Sequence, residues 1–239
     1  MRNVVLAAAL TLAAGAPAQA QMSWQDRGYA NINLVVQPSS HDADLNGQFN
    51  LYDELGTFEG PREISGGAVF DIAAGARVWR NLAIGLGISR FGDSSGVNVT
   101  ARVPDPLVFD APVQQELTAG GLDHSETGVH ISAVWFWPFT DKIDIAVSAG
   151  PSFFSVNHET VSAIAVEANT ATATGVTTIE ASETGVGVNL GVDVSYMVTP
   201  RFGAGVLLRY AGASVDVPGL DDSLGVGGVH VGVGLRVRF

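Results

Sequence analysis

The sequence predicts an all-β fold, an eight-stranded antiparallel up-and-down transmembrane β-barrel preceded by a cleaved signal peptide. Three observations predict it. Eight segments alternate apolar with small or polar residues, as the two faces of a β-strand require. The connections between these segments are short and long in turn. Apolar residues make up 46% of the chain, yet no apolar run of helix length follows the N-terminal twenty residues.

The N-terminus has the three parts of a secretory signal peptide. Arg2 supplies a positive charge, residues 4–12 are apolar, and residues 18–20 give the small-x-small pattern of a cleavage site. A membrane-anchoring helix is the alternative, but the apolar run is shorter than the ~20 residues that span a bilayer. We therefore expect residues 1–20 to be removed and residues 21–239 to form one barrel domain.

The alternating segments are the predicted strands. In the last of them, residues 229–239 place Val, Leu or Phe at every second position and Gly, Arg or His between. The same period of two runs through the other segments. The predicted strands are 28–37, 66–79, 81–91, 126–137, 142–156, 184–198, 201–215 and 226–239.

The residue types on the two strand faces favour a membrane barrel over a soluble one. One face is continuously apolar, whereas the other mixes Gly, Ala and Ser with charged residues. A soluble barrel or sandwich turns its apolar face inward and packs it densely. A membrane barrel is apolar outside and polar inside. We expect the apolar face to contact lipid and the glycine-rich face to line a narrow lumen. A soluble lipocalin-like carrier is the alternative fold.

The connections differ in length and charge on the two sides of the predicted barrel. Tight turns lie at 79–81, 138–141 and 199–201. The long connections carry most of the acidic residues but only two bases, Arg62 and Arg102. Short turns are periplasmic and long loops extracellular in membrane barrels, so both mature termini are expected in the periplasm. The long connections are 38–65, 92–125, 157–183 and 216–225.

Two of the long connections themselves resemble strands. Connection 92–125 alternates on both sides of Pro104-Asp105-Pro106, and connection 157–183 contains Thr, Ala and Val repeats. We expect the first to continue its strands as a hairpin beyond the membrane, and the second to do the same. Such protrusions suit contacts with partners, although no ligand is indicated by their residues.

Aromatic residues are grouped towards the two ends of the predicted strands. Two aromatic belts that bracket an apolar band are typical of a spanning barrel. The belt at the tight turns is expected to contain Trp79, Trp135, Trp137, Phe139, Tyr196, Phe202 and Phe239. The belt at the other end is expected to contain Phe91, Phe153, Phe154 and Tyr210.

Several of these segments resemble a known family. The terminal VGVGLRVRF, ending on Phe239, resembles the signature that the assembly machinery of bacterial outer membranes reads. The segments VWRNLAIGLGISRF, MVTPRFGAGVLLRYAGASV and GPSFF at 150–154 resemble the small outer membrane protein β-barrel domain family, which is similar in fold to the N-terminal barrel of OmpA. The resemblance implies a cell outer membrane location and contact with outer-membrane lipid and lipopolysaccharide. It implies no activity. Unlike OmpA, the chain has no periplasmic domain after its eighth strand, so wall anchoring is not implied.

Charged residues of both signs fall on the face that we expect to line the lumen. An eight-stranded barrel is about wide enough inside for its own side chains. An unpaired buried charge is costly, so these groups are expected to pair and form a salt-bridged plug. A narrow water-filled conductance path is the alternative. The predicted lumen charges are Asp71, Arg77, Asp144, Asp193, Arg209, Arg236 and Arg238.

One set of residues invites an enzymatic interpretation. His130 and Ser132 share a face, and Asp144 begins the next strand, so a base, a nucleophile and an orienting acid are present. The pair resembles the His-x-Ser of outer-membrane lipid A deacylases, but the surrounding residues do not resemble that family. The period of two also points both side chains into the lumen, away from lipid. A hydrogen-bonded pair is the favoured interpretation, and no catalytic residue is predicted.

A metal and a nucleic acid are both disfavoured as ligands. Asp42, Asp44, Asn46, Gly47 and Asp53 match the spacing of a calcium loop, but flanking helices and a final Glu are lacking. Short acidic runs with Asn and Gly are more often turns. The chain has a formal net charge of −12 and no cysteine, which disfavours nucleic-acid binding and disulfide-stapled folds. We expect no cofactor and no metal.

The sequence thus predicts a monomeric outer-membrane barrel with a structural or interaction role at the cell surface. A small channel or transporter of solutes is the second hypothesis. A lipid-modifying outer-membrane enzyme is the third. A filled lumen would separate the first hypothesis from the second.

Overall fold

The structure is a computed structural model that describes residues 24–167, 170–216 and 223–239. The predicted signal peptide, residues 1–20, lies outside the described residues. In the described part of the chain, no helix is long and apolar enough to cross a membrane.

Twelve strands form within these residues, and eight of them close into a ring. The ring order is β1-β6-β7-β8-β9-β10-β11-β12, with every neighbouring pair antiparallel. All eight predicted strands are present, and the predicted eight-stranded antiparallel barrel is confirmed. The strands are β1 Gly28–Gln37, β2 His41–Asp42, β3 Leu45–Leu51, β4 Glu54–Gly60, β5 Glu63–Ile64, β6 Gly67–Trp79, β7 Leu82–Val103, β8 Val113–Pro138, β9 Ile143–Glu167, β10 Thr172–Met197, β11 Phe202–Val215 and β12 Leu224–Arg238.

The first and last strands close the barrel. β1 pairs with β12 from Tyr29 opposite Arg238 to Val36 opposite Val231. Beyond that ladder the Phe239 carbonyl accepts hydrogen bonds from the amide of Arg27 at 2.6 Å and from that of Gly28 at 2.7 Å. Closure pairs the edges that an open sheet would leave free.

The outer face of the ring carries the exposed apolar side chains. The predicted belt at the tight turns is confirmed, because all seven of its aromatic residues are exposed. At the other end Phe153 and Tyr210 are exposed, but the prediction for Phe91 and Phe154 is wrong. Both are buried inside the barrel, at 4% and 3% exposure, because adjacent residues of a strand face opposite ways. We call the apolar zone of the outer face, between the belt at the tight turns and the level of Phe153 and Tyr210, the membrane band.

Four strands continue far beyond the membrane band. The predicted hairpins at 92–125 and 157–183 are confirmed as extensions of β7–β8 and β9–β10. The connection 38–65 was expected to be a loop, but it contains β2 to β5. Within it, β3 and β4 form a hairpin that joins the extended edge of β7, with Thr57 opposite Arg102.

The buried side chains lie in layers along the barrel axis. An aromatic-rich layer containing Trp24, Tyr29 and Phe136 lies at the end of the tight turns. An apolar layer containing Phe91 and Phe154 lies in the part of the lumen nearer the long connections. A third cluster packs between the extended hairpins. Buried polar and charged residues occupy the lumen between the first two layers.

Inward glycines make room for these large side chains. A Cβ at Gly85 would lie 2.1 Å from the hydroxyl oxygen of Tyr29, and one at Gly205 would lie 2.6 Å from Nε of Arg236. Both distances are far shorter than a van der Waals contact, so a side chain at either position would clash. The glycine-rich face therefore does not leave the lumen empty, because the missing side chains are replaced by the long ones of neighbouring strands.

Candidate functional site

The lumen holds the predicted charged residues, and the structure brings six of the seven into ion pairs. Arg209 lies 2.8 Å from Asp71, and Arg236 is paired with Asp193. Arg238 lies 4.0 Å from Asp144, at the outer limit of an ion pair. The seventh, Arg77, donates instead to the backbone carbonyl of Trp24.

Arg236 is fully buried and reaches across a whole strand. It lies on β12, whereas Asp193 lies on β10, two strands away in the ring. On the intervening strand β11, Gly203 lies opposite Arg236, and a Cβ at Gly205 would lie 2.6 Å from Nε of Arg236, so the absence of side chains there leaves the space that the guanidinium occupies. Nε donates to Asp193 at 3.0 Å, and a terminal nitrogen donates to Asn33 at 2.7 Å. Such a multiply bonded arginine offsets part of the cost of burying its charge.

Arg238 lies one layer closer to the tight turns and contacts both polar and aromatic groups. Its terminal nitrogens donate to Asn31 at 3.2 Å and to Ser195 at 3.1 Å. The guanidinium carbon lies 5.1 Å from the ring centre of Phe136 and 5.7 Å from that of Tyr29. These cation–π contacts stabilise the charge where the carboxylate is distant.

The N-terminal segment closes this end of the barrel. Trp24 is buried at 2% exposure and stacks on Phe136 at 4.0 Å between ring centres. Its amide donates to the side chain of Asn81 at 3.2 Å, and its carbonyl accepts from Arg77. The sequence analysis missed this contact, because a tryptophan just before the first strand carries no periodic signal.

The middle of the lumen is a continuous network of hydrogen bonds and ion pairs. Asn33 donates to Asp71 at 2.7 Å, which connects the Arg236 pair to the Arg209 pair. Arg209 contacts His230 at 3.0 Å, and His230 contacts Gln37 at 2.9 Å. Each of these side chains is buried, and polar groups removed from water require such partners.

The predicted pair of His130 and Ser132 lies in this network but does not form a catalytic triad. The two ring nitrogens of His130 contact Ser89 at 2.9 Å and Ser152 at 2.8 Å. Ser132 donates to the side-chain oxygen of Asn189 at 2.7 Å. Asp144 is ion-paired with Arg238 instead. The hydroxyl, the imidazole and the carboxylate thus have separate partners, and the expected lumen orientation of His130 and Ser132 is confirmed.

A second polar cluster closes the lumen at the other end, where β8 and β9 stop pairing. His124 and His158 are opposite each other on the last rung of that ladder, with their Nδ1 atoms 3.1 Å apart. Nε2 of His124 contacts Glu126 at 2.9 Å, and Glu126 accepts from the amide of Gly227 at 2.7 Å. Burial, with the nearby charge of Arg62, lowers the pKa of His158 to about 3.

Arg62 of the first long connection bridges the two hairpins above this rung. It donates to the carbonyl of Leu122 on β8 at 2.7 Å and to that of Glu159 on β9 at 2.6 Å. The same guanidinium lies 3.4 Å from His158. We call Arg62, His124, Glu126 and His158 the latch. The sequence analysis found none of its members, although the period of two places all three strand residues on the inward face.

Two small cavities lie in the lumen. One, among the polar side chains of the middle lumen, has a volume of about 70 Å³. Another, near Phe91 and Phe154, has about 10 Å³. Both are well below the ~300 Å³ at which small-molecule pockets begin.

The residues of the calcium-like run do not converge. Asp42 lies in β2, Asn46 and Gly47 lie in the extended strand β3, and Asp53 lies in the turn that follows. An extended strand keeps its ends apart, unlike a loop that wraps around an ion. In the described ranges, no group of three or more His, Asp or Glu side chains is placed to hold a metal ion.

Comparisons with known proteins give structural likenesses only. No family model matches the sequence, and no curated protein is significantly similar to it. Among solved structures, the chain is similar to Neisserial surface protein A (15% identity, 89% of this chain, 97% of that chain, TM-score 0.44). It is also similar to the outer membrane protein OprG from Pseudomonas aeruginosa (10%, 92%, 99%, 0.47). A third is Ail, the attachment invasion locus protein of Yersinia pestis (9%, 89%, 99%, 0.42). The fold assignment itself rests on the strand register of this chain.

Proposed function

We propose that the protein is a closed barrel of the bacterial outer membrane whose role lies in surface interactions. The observation that carries this proposal is the packing of the lumen, where the cavity among the polar side chains of the middle layer has a volume of about 70 Å³. In this proposal Trp24 and Arg238 close the lumen at the end of the tight turns, and the latch closes it at the other end. The packed layers support a closed state, because a hydrated ion path needs continuous water-sized space.

The extended hairpins support the second half of the proposal. A barrel that only stabilised the membrane would need no ordered structure beyond the membrane band. Here strands β3, β4, β7, β8, β9 and β10 continue there as sheet with an apolar cluster of their own. Binding residues are often displayed on connections that a rigid scaffold holds in place.

The wrapping of the barrel supports the membrane location and the assignment of its two sides. The exposed apolar side chains and the aromatic belt at the tight turns suit a lipid contact surface. Tight turns are periplasmic and long connections extracellular in such barrels, which puts the hairpins outside the cell. Membrane fractionation combined with heat-modifiable gel migration tests this placement. A soluble, heat-insensitive band would contradict it.

Solute flux tests the closed state. Proteoliposomes that contain the full chain are placed in iso-osmotic solutions of small sugars and amino acids, and their swelling is followed by light scattering. We expect the proteoliposomes to swell at the same rate as protein-free liposomes. Swelling that rises with the amount of protein would establish a solute channel instead.

A further inference from the structure

Large exposed apolar side chains beyond the membrane band are concentrated at one place. The described residues include six such side chains beyond the membrane band. Five of them lie together, and the sixth, Ile179, lies apart from them on β10. Leu107 and Phe109 are the extreme cases, at 91% and 78% exposure. Contiguous exposed apolar patches on soluble surfaces mark interaction sites. We call this patch the apolar tip, and it consists of Leu55, Leu107, Val108, Phe109 and Val113.

Two hairpins build the apolar tip together. Leu55 belongs to the β3–β4 hairpin, and the other members lie in or next to the connection between β7 and β8. The amide of Asp110 donates to the Glu54 carboxylate at 2.9 Å, which ties the two hairpin ends together. The Asp105 carboxylate accepts from the amides of Leu107 at 2.7 Å and Val108 at 3.2 Å. These bonds hold the connection in one conformation that presents its side chains outward.

The apolar tip stays exposed although an apolar core lies directly beneath it. Val103, Phe58 and their neighbours are buried in the cluster between the hairpins. Folding of the connection onto that cluster would remove apolar area from water, which is favourable. The connection is instead hydrogen-bonded to Asp105 and Glu54 with its apolar side chains in solvent. The outward presentation is therefore built into the backbone of the two hairpins.

The apolar tip is too far from the barrel's own bilayer to insert there. Ile88 is an exposed residue of β7 inside the membrane band, and Val103 ends the same strand. The intervening strand measures ~50 Å, or ~35 Å of height when it is tilted by ~45°. A partner in another molecule is the remaining way to cover these side chains.

The charges around the apolar tip indicate what kind of molecule that partner is. Four carboxylates border it, from Asp53, Glu54, Asp105 and Asp110, and the base at this end of the hairpin is Arg102. Complementary charge at the rim of an apolar contact favours encounter and excludes partners of like sign. Anionic lipid and other acidic surfaces are therefore disfavoured.

We propose that the apolar tip docks a protein surface that is apolar at its centre and basic at its rim. This inference rests on the proposed surface-interaction role and adds to it the site and the partner class. Phe109 and Leu107 supply the apolar contact, because their side chains project furthest into solvent. The carboxylates of Asp53 and Asp110 steer the basic rim towards it.

Designed peptides of defined composition test the proposal. The full chain is placed in phosphatidylcholine nanodiscs, and three fluorescent amphipathic helical peptides are titrated: leucine with lysine, leucine with glutamate, and alanine with lysine. Fluorescence anisotropy gives each Kd after subtraction of empty nanodiscs. We expect saturable binding of the leucine–lysine peptide and at least about tenfold weaker binding of the other two, because each lacks one half of the contact.

Variants locate the binding at the apolar tip. Leu107→Ser combined with Phe109→Ser is expected to raise the Kd of the leucine–lysine peptide about tenfold or more. Asp53→Asn combined with Asp110→Asn is expected to reduce the salt dependence of binding. Asn is well tolerated at both positions, where φ is +61° and +59°. Ile179→Ser, which removes the exposed apolar side chain on the other hairpin, is the matched control and should leave Kd unchanged.

Two results would overturn the proposal. The first is no binding of the leucine–lysine peptide, or binding that the Leu107→Ser and Phe109→Ser double variant retains. The second is binding of phosphatidylcholine vesicles to the full chain in nanodiscs in the absence of peptide, lost in the Leu107→Ser and Phe109→Ser double variant, which would identify lipid as the partner. Neither result affects the closed lumen, which the swelling assay reports separately, so failure of this inference and failure of the proposed function are distinguishable.

Discussion

Asp71 and Arg209 meet at 2.8 Å although their strands, β6 and β11, are not neighbours in the ring. The contact spans the lumen, and both side chains are almost completely buried. Replacing one partner leaves the other charge buried without compensation, which costs about 3–5 kcal/mol. We predict a loss of this size for Asp71→Asn, measured by urea unfolding in lipid vesicles. Asp141→Asn, in an exposed tight turn, is the control; equal midpoints for the two variants would contradict the buried pair.

Trp24 provides a second test of the filled lumen. Its ring stacks on Phe136 inside the barrel, whereas Trp79 is exposed on the outer belt. Removing a large buried aromatic side chain costs about 3 kcal/mol. We therefore expect Trp24→Ala to lower the free energy of unfolding by about that amount, with Trp24→Phe restoring part of it. The control Trp79→Ala should have the smaller effect, and the reverse order would show that the N-terminal segment does not occupy the lumen.

Acid is predicted to release the latch. The pKa of His158 is lowered to about 3 by burial and by Arg62, whereas a free histidine titrates near pH 6.5. The closed form therefore binds the proton more weakly than the open or unfolded form. Its stability is complete above about pH 6.5 and declines as the pH falls towards 3. At pH 5 the open population should rise about 30-fold.

Hydrogen exchange of residues 54–64, corrected for the pH dependence of the chemical exchange rate, measures that opening. The titratable groups around His158 are Arg62, His124 and Glu126 of the latch and the carboxylates of Asp93, Asp123 and Glu159 near Arg62. His158→Gln has no proton to gain and should abolish the extra opening at pH 5 that the wild-type chain shows. Arg102→Ala, an exposed base on the extended part of β7, is the control. Identical pH profiles for the wild-type chain and His158→Gln would rule out this histidine as the cause.

The fold followed from the sequence because period-two alternation and turn lengths are local signals. The ring of eight strands, the outward belt at the tight turns and the two extended hairpins were all predictable in this way. The errors concern which aromatic residues of a strand face inward: Phe91 does, and of the adjacent Phe153 and Phe154 only Phe154 does. The contacts of Trp24 and Arg62 depend on residues more than 50 positions away in sequence, which no local pattern encodes.

The candidate site was predictable in its residues more than in its geometry. Six of the seven lumen charges lie in ion pairs, but the period of two does not specify which acid meets which base. Asp71 meets Arg209 because the barrel is narrow, and Asp193 meets Arg236 because glycines of β11 leave a passage. The latch was missed because Arg62, which contacts His158, lies on a connection that was expected to be a loop.

Phe239 combines two roles that can be separated. Its carbonyl accepts two hydrogen bonds from the start of β1, and its ring is exposed in the outer belt. Phe239→Ala keeps the backbone bonds and removes only the ring, whereas deletion of Phe239 removes both. If the ring is an assembly signal, Phe239→Ala should impair membrane insertion nearly as much as the deletion, as measured by heat-modifiable migration of membrane fractions. Normal insertion of Phe239→Ala alongside a defective deletion would assign the effect to barrel closure alone.

The central claim is that the lumen does not conduct, and single-molecule current in planar bilayers tests it most directly. The purified full chain is inserted at low protein density, with a large water-filled porin as the positive control for insertion and detection. We predict that insertion events verified by fluorescent labelling produce no steady current steps across the voltage range at neutral pH. Reproducible ohmic steps at one step per labelled molecule would contradict the account and establish a channel.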